Sequence, residues 1–317
     1  MRKSIIKNLL LISSTSLFST EFITLGTGEE NGTYYPVGLS MCKFINKKQK
    51  NMRCSIESTN GAIYNINAVL SEKFNFAISQ SDTIYHVIYQ EKNFKNRNTN
   101  DLRSVISIYP ELFAFIVNKR ANINKIEDIK GKRINIGSLN SGSELTTLEI
   151  LNEYKIKKTD LAQVSSLDAM DTVDALRDDI IDGYFFMVGH PTQNIQDAID
   201  SSDISIIPIK GKEIDSLIKK RSYFKKSYID ANLYDGIEKR IETIGSTSVI
   251  ITNKKVSEEL VYNFIKIIME NFDEFKQSNE VFKNITKKSL FQGLTAPQHS
   301  GVIKYLKENN ITLHLER

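Results

Sequence analysis

Thr27, Ser58, Thr59, Asn60, Gln80, Ser81 and Asp82 stand at three places where a short apolar run gives way to a helical pattern. Ser138, Ser141, Ser143 and Glu144 stand at a fourth such place, and Gly189 and His190 at a fifth. Hydroxyls, amides and the open N–H groups of helix starts hold an anion without needing a paired arginine. Asp82 and Glu144 are the acidic members of the set. In an amino-acid ligand either carboxylate suits the α-ammonium through a charge-assisted bond. As structural groups, both equally suit the first turn of a helix, where the dipole favours negative charge. Tyr34, Tyr64 and Tyr109 lie nearest these turns and offer an apolar face with a donating hydroxyl. His190 is a lone histidine at a strand end, which is as readily a structural group as a ligand contact.

The elements that position these groups alternate in type. Residues 22–25 and 53–57 read as strands, each followed by a polar, glycine-containing turn and a helix. Residues 74–78 read as a third strand, followed by a helix over 84–90. A polar loop spans 91–100. Residues 102–108 read as a strand ending at Tyr109-Pro110, and 113–117 as a separate strand leading away, so Tyr109 marks a crossover. The second half repeats the rhythm, with strands at 133–136, 181–187 and 204–207. Helices are expected over 142–154 and 169–177, and from Pro191, which suits a first helical turn, to about residue 200. Residues 243–252 read as a return crossover, and the chain beyond 256 is mostly helical. In an open α/β sheet, ligands bind beyond the carboxyl ends of the strands.

Composition bounds the compartment. The chain has 317 residues, 40% of them apolar and 25% charged, which describes a globular protein of two ordinary domains. Residues 1–20 read as a signal peptide: Arg2, Lys3 and Lys7 precede an apolar stretch over 9–18 and the small residue Ser19. An uncleaved anchor is the rival reading of that stretch. Without those three basic residues, 39 Lys and Arg face 38 Asp and Glu, so no basic surplus argues for nucleic acid. Cys42 and Cys54 suit a disulfide in an oxidising compartment, against two independent core thiols. No metal-ligand spacing, Gly-Lys-Ser/Thr phosphate loop or Ser–His–Asp arrangement is present, so neither a metal, a cofactor nor an enzyme is expected.

The strings GTGEENGTYYPVG, RCSIESTNGAIYNINAV and FAISQSD, followed in order by LRSVISIYPE, IEDIKGKRINIGSLNSGSE, DGYFFMVGHP and GLTAPQHSG, resemble the TAXI family. That family comprises solute-binding receptors of TRAP secondary transporters. Asn60 stands where the family usually has glycine, and Ser143 where threonine is common. The resemblance implies a two-lobed α/β fold of the type II periplasmic binding protein class with crossover hinge strands. Lobe I would take residues 21–109 and 248–317, and lobe II residues 110–247. It further implies a periplasmic, monomeric receptor. Its ligand would be a small carboxylate such as glutamate, a related amino acid or a dicarboxylate, and its partners the TRAP membrane permease subunits. A receptor of an ABC importer is the alternative on the same fold. An exported α/β enzyme and a ligand-sensing domain are further readings.

Overall fold

A computed structural model describes residues 20–95 and 98–311. The expected signal peptide, apart from Thr20, lies outside the described residues.

The first strands follow the apolar runs: β1 (Glu21–Gly26), β2 (Met52–Glu57) and β3 (Phe76–Gln80), with β1 parallel to both others. Each leads into a helix: α1 (Tyr34–Lys48), α2 (Ala62–Leu70) and α3 (Ser81–Ile88). The two strands expected around Pro110 are instead one, β4 (Leu102–Asn118). Pro110 is exposed and lies opposite Thr247, next to a register shift. A bulged site tolerates the missing donor, which explains why proline did not end the strand.

The second lobe comprises β5 (Arg133–Asn135), α4 (Gly142–Glu153), β6 (Gln163–Ser165), α5 (Ala169–Arg177), β7 (Gly183–Val188) and α6 (Gln193–Ser201). It continues through β8 (Ile204–Ile206), α7 (Lys212–Lys220) and β9 (Lys225–Ile229). The chain returns along β10 (Ile241–Asn253) and ends in α8 (Glu258–Glu270), α9 (Phe272–Gln277) and α10 (Ser300–Glu308).

The sheet order is β2-β1-β3-β10-β4-β7-β5-β6, with β8 on β4 and β9 on β10. β4 and β10 are long, antiparallel and shared by both lobes. At its far end β4 pairs with β7 and β8, while β10 turns to β9. Gly245 sits at this parting. A Cβ there would stand 2.8 Å from the Glu111 carbonyl oxygen and 2.9 Å from Leu112, so only glycine lets the strands approach.

Each lobe buries its sheet on both faces. Phe76 stacks on Phe264 at 4.5 Å in the first lobe, and Phe115 on Phe185 at 4.2 Å in the second. A disulfide joins Cys42 of α1 to Cys54 of β2, the pairing expected from the isolated cysteines.

Candidate functional site

The polar turns meet where the lobes face each other. Between them lies a cavity of about 60 Å³. One wall is the β1–α1 turn with the start of α1, through Gly28, Glu29, Thr33 and Tyr34. Asn60, Gly61 and Ala62 bring the start of α2, and Gln80 closes the end of β3. The opposite wall is Ser138, Ser141, Gly142 and Ser143, backed by residues 186–188 of β7. Glu111 enters from β4, where the strand passes between lobes.

Of the residues expected at the site, Tyr34, Asn60, Gln80, Ser138, Ser141 and Ser143 line this cavity. Most of the expected hydroxyls are already engaged. Thr27 donates to the Glu57 carbonyl at 2.7 Å, Ser58 to Gly28 at 3.0 Å and Thr59 to Thr27 at 2.8 Å. Ser81 accepts from the Thr247 N–H at 3.1 Å. Ser141 caps α4 by accepting from the Glu144 N–H at 3.1 Å, and Ser143 accepts from Met187 N–H at 3.0 Å. These side chains shape the turns. What they leave facing the cavity is backbone, because first-turn N–H groups have no partner within their own helix. The starts of α2 and α4 line the cavity in this way.

Other expected residues lie elsewhere. Tyr64 is on the surface, accepting from Lys73 at 2.8 Å. Glu144 accepts from the Asn140 N–H at 2.9 Å, which is its capping role. Asp82 is fully buried behind the cavity and accepts from the Thr146 hydroxyl at 2.7 Å. Burial raises its carboxyl above the usual range, against that bond. Neither acid lines the cavity. Tyr109 packs against Gly189, whose carbonyl accepts from Thr33 across the lobes at 2.7 Å. His190 bonds Tyr234 at 2.8 Å, and burial pushes its pKa down to about 4, so the ring is neutral near pH 7.

Two acids line the cavity that the motif reading did not single out. Glu111 is 1% exposed, and its Oε2 atom has no partner among the described residues. Burial, with the charge of Asp82 added, pushes its carboxyl well above the usual range, opposed by the nearby Tyr34 hydroxyl. The Tyr34 hydroxyl is likewise buried without a partner. Glu29 reaches the second lobe: Ser138 Oγ donates to its Oε1 at 2.7 Å and the Ala169 N–H to its Oε2 at 2.5 Å. Burial raises the Glu29 carboxyl too, helped by Asp168 and Asp171. No lysine, arginine or histidine lines the cavity among the described residues. The signal that could have found Glu111 was its place directly after the crossover Tyr109-Pro110.

Gln80 crosses to the second lobe as well. Its amide lies 3.5 Å from Thr146 Oγ1, and a Cβ on Gly142 would stand 1.7 Å from its Oε1. The two lobes are thus in direct contact around the cavity.

Among the described residues, no group of three His, Cys, Asp or Glu could hold a metal ion. No described helix is long and apolar enough to cross a membrane.

Residues 25–309 match the family model of the NMT1-like family. Among solved structures, MatC from Rhodopseudomonas palustris with bound malate is similar at a TM-score of 0.57 and 11% identity, covering 92% of this chain and 96% of that one. PhnD1 from Prochlorococcus marinus in complex with methylphosphonate is similar at 0.56 and 10% identity, covering 93% and 100%. A protein of Methylobacillus flagellatus, described as the periplasmic sulfonate-binding protein SsuA of a sulfonate ABC transporter, is similar at 0.51 and 12% identity, covering 94% and 99%. At these identities the likeness is one of fold.

Proposed function

The chain belongs to the NMT1-like family, and from that membership and the cleft we propose that it is a periplasmic solute-binding receptor of an uptake system. The observation that carries this reading is the cavity between the lobes, where two helix starts face a buried acid with one unpartnered oxygen, Glu111 Oε2. Helix N–H groups suit the carboxylate of a small solute. The free Glu111 oxygen suits a donor on the same solute, such as an ammonium group. A small amino acid carries both. The malate, methylphosphonate and sulfonate in the names of similar structures support a small anionic solute.

On the membrane partner, the sulfonate-binding protein's description as part of an ABC transporter supports an ABC importer. The seven ordered strings that resemble the TAXI family support a TRAP permease instead. Co-purification of the tagged receptor with each candidate permease, in the presence of ligand, separates the two. We take residues 21–109 with 248–317 as one closing lobe and 110–247 as the other, with β4 and β10 as hinge strands. Ligand would favour the closed form only through its greater affinity for it.

The test is a thermal-shift screen of the exported protein over amino acids, small carboxylates, sulfonates and phosphonates. A ligand at 100 times its dissociation constant adds about 2.7 kcal/mol of stability. A hit whose binding leaves the radius of gyration unchanged would remove the closure mechanism. No hit in any class, or stoichiometric turnover of one, would remove the receptor reading.

A further inference from the structure

Three sets of main-chain donors reach the cavity or its rim: the starts of α2, α4 and α5. The first two are Ala62 and Gly142–Ser143, which line the cavity, the neighbouring Gly61 N–H being taken by Thr59 Oγ1 at 3.0 Å. The third is already filled. Ala169 opens α5, a helix of nine residues, and its N–H donates to Glu29 Oε2 at 2.5 Å, while Ser138 Oγ donates to Glu29 Oε1 at 2.7 Å. Both carboxylate oxygens accept, each from a different donor of the opposite lobe, which is how an ionised carboxylate is held. Glu29 therefore sits as a ligand's own carboxylate would sit. It belongs to the first lobe and lines the cavity, as Glu111 does from the crossover strand β4, and no cationic side chain among the described lining residues offsets either.

We infer that Glu29 is a specificity-determining residue: its carboxylate fills the anion seat at the start of α5, so the cleft takes a solute with one carboxylate and rejects the matching dicarboxylate. The inference rests on the receptor reading above. One ligand carboxylate finds the N–H groups of α2 and α4. A second would meet the Glu29 carboxylate, with the α5 donor already taken, and like charges brought together this way discriminate strongly between partners. This narrows the solutes implied by the motif resemblance. Dicarboxylates and glutamate fall behind their counterparts with one carboxylate.

Calorimetric titration of the wild type, Glu29→Ala and Glu29→Gln with matched probes tests this. The probes are L-glutamine against L-glutamate, L-asparagine against L-aspartate, and propionate against succinate. The two variants keep or remove the side chain's bulk, and their melting curves report whether each folds. The wild type is expected to bind the one-carboxylate member of at least one pair roughly tenfold or more tightly than its two-carboxylate match. Glu29→Ala should close that gap by gaining the two-carboxylate member, with Glu29→Gln between the two. Equal binding of both members by the wild type, or an unchanged gap in folded Glu29→Ala, overturns the inference and leaves the receptor reading standing. Silence of every probe in all three proteins overturns the inference, and the receptor reading then stands or falls on the wider screen.

Discussion

His86 Nε2 lies 3.1 Å from Glu149 Oε2, and this contact joins α3 of one lobe to α4 of the other. Glu149 also accepts from Lys92 Nζ, Arg221 Nε and Tyr223 Oη, each at 3.0 Å, so a nearly buried carboxylate gathers donors from both lobes. Burial alone would raise its pKa, but the His86 hydrogen bond and the Lys92 charge hold it down to about 2. The folded value lies below the ordinary 4.5. Its stabilisation is therefore complete above pH 4.5 and is lost as pH falls through about 2. A depression of this size is worth on the order of 3 kcal/mol. We expect urea melts of the wild type to lose stability between pH 4.5 and 2.5 more steeply than those of Glu149→Gln. Parallel acid profiles would show that another group carries the acid sensitivity.

Glu111 has the opposite sign. Its folded carboxyl is raised above 4.5, so the unfolded chain releases a proton that the folded chain keeps. Stability is lost as pH rises above 4.5, by virtue of this group. Glu111→Gln should therefore melt higher than the wild type at pH 7 without ligand, and the difference should vanish near pH 4. The same substitution should weaken binding of an amine-bearing ligand, since an amide cannot give up a proton to become the ammonium's anionic partner. A variant that is both less stable at pH 7 and unaffected in affinity would contradict the reading of Glu111 as a site acid.

Gly142 is a point of close approach between the lobes at the cavity. An added Cβ would stand 1.7 Å from Gln80 Oε1, which forces the Gln80 side chain away or the lobes apart. Gly142→Ala should keep each lobe's core and lower ligand affinity by roughly tenfold or more, because closure then costs additional free energy. Double substitution with Gln80→Ala should restore part of the loss. Calorimetry on the single and double variants reads this directly.

The Cys42–Cys54 bridge closes a short loop, with a sequence separation of 12. A crosslink of this span constrains the unfolded chain by about 3 kcal/mol. Replacing both cysteines with serine should lower unfolding stability by roughly that amount and leave ligand affinity nearly unchanged. A stability equal to that of the wild type would mean that strain in the native bridge cancels the effect.

The first lobe was legible because its signals are local. Apolar runs of four to six residues ending in Gly-Thr-Gly, Ser-Thr-Asn-Gly and Ser-Gln-Ser-Asp specify strand, turn and helix start within a few residues. The turns, the α/β rhythm and the cysteine pair follow from such signals. The long strand β4 was less legible, because Pro110 reads locally as a stop. Its pairing with β10 on one side and β7 on the other, from residues more than sixty positions away, overrides that signal. Short β6 and β9 were not anticipated either, since their few apolar residues leave little periodicity, and α7 was passed over although Ile214, Leu217 and Ile218 stand at helical spacing.

Read alone, the sequence determined where the polar groups stand along the chain and that they gather at strand ends. Which of them remain open to a ligand was decided only by the tertiary structure. Thr27, Ser58, Thr59 and Ser81 meet backbone partners from neighbouring turns and are thereby used up. Glu29 and Glu111, unremarkable by motif, are brought to the cavity by a cross-lobe contact and by a shared strand. The reason is physical: a hydrogen-bonding type belongs to a residue, but its spare capacity is set by every partner that folding brings within 3 Å.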